Sequence, residues 1–339
     1  METIDPFGDA FGDLPVFDAA VPWEQAQSAL EERSLGDGLP LVPPTKARLA
    51  AMLNGIVAPH KSYGQMPPLF GDLNPAAVAY NCVMAGCAPG ALAVVLSAAE
   101  ACLEPGFNLL GILTTTGTPA VVTIVHGPVV EDLKMNAGTN LLGPGNRANA
   151  TMGRAMALVM LNIAGARAGI GDMATMGQPG KYGFCFPEGG AEGTDKTFPT
   201  LPARRGLDDG VSAVTVLGVS GTVEVLPSGG GDTPELILEP MATAMAATRA
   251  VASAGRLRDL GEQFFLLPPE LAHQIAKNGW DLDRVQAYLS GFPDLAKSGG
   301  DFHPIVTGGP GIKMTHLPIW AGGSQSVTRP IRNLRHLRS

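Results

Sequence analysis

The run Ala120-Val121-Val122-Thr123-Ile124-Val125-His126, closed by Gly127-Pro128, decides the fold class. It is dense in Val, Ile and Thr, which fit a pleated, half-buried surface, so it reads as a strand. Helical patterns flank it. Asn74-Pro75 is an N-cap and N1 pair that opens a helix over 75–86. Gly86 and Pro89 break that helix, and a second runs over 89–102. Beyond the strand, an apolar helix spans 147–163. Strands alternating with helices predict an α/β protein, its mixed sheets covered by helices, with room for two lobes.

Working outward, strands are predicted at 110–116, 182–186, 211–219, 222–226 and 263–267. Helices are predicted at 23–33, at 46–53 behind the N-cap Thr45, and at 240–255, 269–278 and 282–289. Residues 1–35, acidic and punctuated by Gly and Pro, read as an N-terminal extension. A single α/β unit covers 36–331, with the polar, Gly-rich segment 187–210 as a lid or lobe junction. Residues 332–339 form a basic tail. No internal repeat is visible.

The chain has 339 residues, 45% hydrophobic and only 16% charged, with 44 Gly, 13 Met and few aromatics. Such a chain packs by close backbone approach and adaptable thioethers, and its scarcity of charge fits burial in a homo-oligomer. The net charge of −8, with basic residues gathered only at Arg329, Arg332, Arg335 and Arg338, argues against a nucleic-acid partner. No apolar run approaches the roughly 20 residues that span a bilayer. The start Met1-Glu2-Thr3-Ile4-Asp5 lacks a signal-peptide pattern, so a cytoplasmic protein with free thiols is expected. The four cysteines, Cys82, Cys87, Cys102 and Cys185, show no CxxC and no zinc spacing, so no structural metal is expected.

Cys87 carries the sharpest argument. It lies just ahead of the helix start at Pro89, where unpaired N–H groups and the helix dipole stabilise a thiolate. The alternative is a buried small hydrophobe. Cys82 lies five residues earlier, about 140° round the helix, so the two are not expected to share a face. In Tyr182-Gly183-Phe184-Cys185-Phe186, period two sets the aromatics on one face and Cys185 on the other, as either a thiol offered to a cavity or a core residue. Lys181 beside it is a candidate anion contact. Cys87, Cys185 and His126, which closes the opening strand, are the candidate catalytic residues, and a metal held by the three is the minor alternative.

The loop Gly143-Pro144-Gly145-Asn146 precedes a helix whose Arg147, Thr151 and Arg154 line one face, a pattern suited to a carboxylate or phosphate. Thr114-Thr115-Thr116 follows a short apolar run and could place hydroxyls at a strand end. The candidate substrate contacts are therefore Thr114, Thr115, Thr116, Gly143, Gly145, Asn146, Arg147, Arg154, Lys181 and Tyr182. Lys313, behind Gly308-Gly309-Pro310-Gly311, joins them. None matches a P-loop, a GxGxxG fingerprint or a GxSxG elbow.

Several of these segments belong together with Gly36-Asp37-Gly38-Leu39-Pro40, Val42-Pro43-Pro44-Thr45, Met84-Ala85-Gly86-Cys87, Gly177-Gln178-Pro179-Gly180-Lys181-Tyr182 and Ser326-Val327-Thr328-Arg329-Pro330-Ile331. The set resembles a largely uncharacterised bacterial family associated with UGSC-type (seleno)protein domains, over roughly residues 35–331. The resemblance implies one recurring unit and thiol or selenol chemistry in a partner, since this chain has no UGSC segment. It carries over no catalytic residues. The expectation from the residues is an enzyme acting on a small anionic organic substrate by thiol-assisted lyase, hydratase or isomerase chemistry. A thiol redox enzyme, or a non-catalytic subunit for a UGSC-type partner, is the alternative.

Overall fold

The computed structural model describes residues 11–189, 197–208, 210–253 and 261–334. Helices α1 (Trp23–Glu32) and α2 (Lys46–Met52) come first, then a small ladder of β1 (Gln65–Met66) and β2 (Gly71–Asp72). Helices α3 (Pro75–Ala85), α4 (Leu92–Ala101) and α5 (Leu109–Thr114) lead into β3 (Ala120–His126). After it come α6 (Val129–Asp132), α7 (Arg147–Asn162), β4 (Cys185–Pro187), α8 (Leu201–Arg204) and β5 (Ala213–Val219). Next are β6 (Val223–Val225), α9 (Pro234–Ser253), β7 (Gln263–Leu267), α10 (Pro269–Lys277) and α11 (Leu282–Leu289). Strands β8 (Phe302–Val306), β9 (Met314–Leu317) and β10 (Val327–Pro330) follow.

Two four-stranded sheets result, ordered β10-β5-β3-β4 and β6-β9-β7-β8. They share one plan. The inner pair is antiparallel (β5 with β3, β9 with β7), one flank is parallel (β4, β8), and the other is antiparallel (β10, β6). In the first sheet Ile124 pairs with Thr215 and Phe186, and in the second Leu266 pairs with Thr315 and Ile305. This register makes Thr215 the counterpart of Thr315, Leu217 of Leu317, and Val219 of Ile319. Val219 and Ile319 bridge each other antiparallel, and Ser220 N to Pro318 O matches Trp320 N to Gly218 O, both 2.8 Å. A local twofold axis therefore passes between the halves. The strands that follow β5 and β9 are exchanged: β6 completes the second sheet and β10 the first. The halves share topology and layering but few residues beyond Thr215 with Thr315 and Leu217 with Leu317, which is why the sequence shows no repeat.

Alternation along each strand sorts residues into layers. Val122 and Ile124 of β3, Phe186 of β4, and Leu217 and Val219 of β5 meet Phe264, Leu266, Ile305 and Leu317 in a core between the sheets. The opposite face of the first sheet, with Val125, Val214, Val216 and Cys185, packs against α3, α4 and α7. The outer face of the second sheet, with Phe265, Leu267 and Phe302, packs against α9, α10 and α11. The architecture is helix, sheet, sheet, helix, the mixed α/β class expected from the sequence.

Some elements differ from the expectation. Residues 109–114 are helical rather than a strand, because the Asn108 side chain caps Gly111 N at 3.2 Å. Helix α9 begins at Pro234, and Pro240 lies within it, because Thr233 and Pro234 already supply a helix start. Residues 11–35, read as an extension, join the main core: Phe11 packs on Tyr80 at 5.7 Å, and Leu30 and Leu35 are buried. The basic tail is tied down in part, since Arg329 and Arg332 both pair with Glu100 of α4 (2.9 and 2.5 Å). Arg335 and Arg338 lie outside the described residues. No single described helix is long and apolar enough to cross a membrane.

Candidate functional site

Helix α7 is the spine of the candidate site. Asn146 caps it, accepting from Asn149 N at 3.0 Å. Its first residue, Arg147, folds back so that Nε and Nη2 both donate to the Gly86 carbonyl (3.1 and 2.8 Å). Gly86 is left-handed (φ 86°, ψ 23°) and ends α3 in a Schellman turn, with Cys87 N bonding Cys82 O and Gly86 N bonding Val83 O, both 2.9 Å. That turn normally closes on an apolar contact between its two ends. Here the two ends are cysteines.

The turn overturns the expected separation of Cys82 and Cys87. The 140° offset assumes a continuous helix, but the left-handed Gly86 swings Cys87 back over the last turn, so that the two thiols shift each other's pKa. The neighbouring Cys87 thiol, and then burial, push the Cys82 pKa up. Cys87 is held below the ordinary thiol range, first by the Cys82 thiol and then by Thr151 and the Arg147 guanidinium, with burial opposing. As a thiol, Cys87 donates to the Thr151 carbonyl at 3.2 Å. At 8% exposure it is the most accessible of the four cysteines, against 6% for Cys185, 1% for Cys102 and 0% for Cys82.

Cys185 shares this corner. It sits on the α7 face of β4, close enough that burial and then the Cys87 charge push its pKa up. Phe184 and Phe186 face the other way, as alternation predicts, but Tyr182 does not join them. Residues 179–182 form a 3-10 turn that leaves Tyr182 exposed. Gly153 of α7 lies directly on this strand, where an added Cβ would meet Phe184 N at 2.7 Å and Cys185 N at 3.1 Å.

Further along α7 is a cavity of about 140 Å³, walled by Leu113, Pro119, Val121, Met160, Leu161 and Ala166. Asp37, Asp172 and Lys181 stand at it as charged groups. Arg154 grips Asp37 with two bonds of 2.8 Å, and Lys181 bonds Asp172 at 2.6 Å. Both expected anion contacts are thus matched by carboxylates of the chain itself. Of the threonine run, Thr114 and Thr115 bond locally to Leu110 O and Gly117 N, and Thr116 O accepts from Thr175 N. Gly143 and Gly145 shape the loop that delivers Arg147. Lys313 stands apart on the second sheet, paired with Glu224 at 2.8 Å.

His126 occupies a different layer. It points between the sheets, on the opposite face of the first sheet from Cys185, so the trio of Cys87, Cys185 and His126 does not meet around one ion. Among the described residues no group of three His, Cys, Asp or Glu could hold one. Instead His126 Nδ1 bonds Glu188 at 2.7 Å and Nε2 meets Thr215 Oγ1 at 2.8 Å. Thr215 meets Thr328 at 2.8 Å, Arg205 donates to Thr328 at 2.7 Å, and Glu262 accepts from Arg205 at 2.8 Å and from His303 at 3.1 Å. A carboxylate only accepts, so the His126 proton lies on Nδ1, and with a neutral imidazole Nε2 accepts, Thr215 donates to it, and Thr328 donates to Thr215. The chain of donors runs one way from Arg205 to Glu188. His126 and Thr215 are 2% and 0% exposed, so this acid-imidazole-hydroxyl row is closed off from solvent, and through Arg205 and Glu262 it links the first sheet to the second.

The partners Asp37, Glu188, Thr215, Thr328, Arg205 and Glu262 are each defined by a contact distant in the chain, and Asp172 meets Lys181, nine residues on, across a turn that the sequence does not mark. Cys82 had a sequence signal: Ala-Gly-Cys behind a helical pattern is the signature of a Schellman turn. No family model matches this chain, and no curated protein or solved structure matches it either.

Proposed function

We propose that the chain is an enzyme acting on a small anionic organic substrate, with Cys87 as the reacting thiol and Arg147 as the anion contact, in a lyase, hydratase or isomerase type of reaction. The observation that carries the reading is the Schellman turn at Gly86. It sets a lowered Cys87 thiol against the Cys82 thiol and beside a guanidinium whose Nη1 has no partner among the described residues. A thiol held below its ordinary pKa serves as acid, base or nucleophile, and a cation close by stabilises charge that develops on a bound carboxylate.

Thiol redox chemistry is the second reading, and the contact between Cys82 and Cys87 is the observation that favours it. Two adjacent thiols can release two protons and two electrons to an oxidised disulfide or selenenyl partner and close a disulfide. The UGSC-type partner suggested by the resemblance, a cytoplasmic setting and a homo-oligomer remain part of the proposal.

The test is alkylation by iodoacetamide from pH 5 to 10, with each labelled site identified by mass spectrometry. The expected result is that Cys87 reacts first, with a midpoint below the usual thiol value of about 8.5, and that Arg147→Met raises that midpoint. Equal inertness of Cys87 and Cys102 in the folded protein would sink the proposal. A disulfide joining residues 82 and 87 after mild oxidation, reversed by a reductant, would move the weight to the redox reading.

A further inference from the structure

The cavity beside α7 is not used by the thiol chemistry, and its lining selects a ligand. We infer that it binds a small monocarboxylate carrying one compact apolar group about the size of a benzene ring. This holds whether or not Cys87 is catalytic.

The apolar group follows from size and walls. A cavity of about 140 Å³ walled by Leu113, Pro119, Val121, Met160, Leu161 and Ala166 offers no polar side chain along those walls. A dry apolar cavity of about 150 Å³ takes up benzene, so a single ring or a branched chain of similar bulk fills this one.

The head group follows from counting bonds at the charged groups. Asp37 accepts three bonds: Arg154 donates to both of its oxygens, and Leu39 N donates to Oδ1 at 3.1 Å. Asp172 accepts from Lys181 on Oδ2 and from Ala174 N on Oδ1 at 3.0 Å. Lys181 is the group with capacity to spare. An ammonium has three donors, and its single bond among the described residues is the one to Asp172, which leaves two. Each carboxylate here already has its own cation, so the site adds no net negative charge to repel an anion. A ligand that only accepts, and whose charge strengthens the bonds it receives, is the match for two free ammonium donors. The glycines at 153, 180 and 183 also line the cavity.

The experiment is titration calorimetry of the full chain with benzoate, benzyl alcohol and benzylamine, three probes that share the ring and differ in the head. Saturable binding of benzoate, about tenfold or more tighter than benzyl alcohol, is expected, with benzylamine weakest. Lys181→Met should remove the preference for benzoate, and Lys181→Arg should keep it. Ala157→Phe, a half-buried position that faces the cavity, should abolish binding of both benzoate and benzyl alcohol. If its melting curve departs from wild type, Ala157→Leu provides a smaller plug. No saturable binding at about 10 mM, equal affinity for benzoate and benzyl alcohol, or unchanged benzoate binding in Lys181→Met would each overturn the inference.

Discussion

Replacing Thr215 by Val tests the row of donors between the sheets. Thr215 is fully buried, and Val fills nearly the same volume, so no cavity and no overpacking result. What changes is hydrogen bonding. His126 Nε2 loses its donor at 2.8 Å, and Thr328 loses its acceptor at 2.8 Å while keeping the bond from Arg205. A buried polar atom left unpaired costs about 1–3 kcal/mol, and the added methyl returns about 0.8 kcal/mol. The net expectation is a loss of about 2 kcal/mol. The twofold plan supplies the control: Thr315 holds the equivalent place in the second sheet, and its hydroxyl makes no hydrogen bond among the described residues. Thr315→Val should change stability by less than about 0.5 kcal/mol. Urea unfolding followed by tryptophan fluorescence, with the slope unchanged, reads both variants. Equal midpoints for the two would refute the claim that the row contributes to stability.

His316 of β9 is held neutral by burial, its pKa lowered to about 4. The unfolded ring takes a proton near pH 6.5, so stability falls as pH drops from about 6.5 to 4, by about 3 kcal/mol in full; His316→Leu should flatten that slope in urea unfolding across this range. Asp37 and Glu262 have the opposite arrangement. Burial raises each, but Arg154 for the first and His303 with Ser326 for the second bring it below the usual carboxylate range. Their stabilisation is present above about pH 4 and is lost as pH falls through the lower folded values, so Glu262→Gln should show a shallower acid limb than wild type. Gly153→Ala should force α7 off β4, because its Cβ would meet backbone atoms at 2.7–3.1 Å; a loss of about 1–3 kcal/mol is expected, and a melting point equal to wild type would contradict the packing described.

The strands and helices that proved legible are those whose signal is local. β3, β5 and β7 are dense in apolar residues, and α3 and α7 open with Asn caps and bonds of 2.9 and 3.0 Å. Residues 109–114 misled because a short apolar run fits a buried helix as well as a strand, and the choice was made by Asn108 outside the run. β8, β9 and β10 went unread, as the polar His303, His316 and Thr328 interrupt their patterns. Each of those side chains meets a partner far away in sequence. At the site, Cys87, Arg147, Arg154 and Lys181 were found because a thiol or a cation beside a turn is visible in one dimension. Of their matching groups, Cys82 is marked by the Ala-Gly-Cys turn, whereas Asp37 and Asp172 depend on how the chain returns.

The exchange of β6 and β10 also bears on how the protein folds. β5 and β10 are separated by the whole second half of the molecule, so the first sheet cannot close until that half has emerged and docked. Closing such a loop is slow, since chain entropy is lost before the pairing rewards it. Until then β5 presents an open edge flanked by apolar residues, a template that another copy of the chain could fill with its own β10. Refolding at rising protein concentration should therefore divert product into strand-exchanged dimers before it aggregates. Vectorial synthesis, which keeps neighbouring chains apart while the second half arrives, should give the higher yield of chains whose β10 pairs with their own β5.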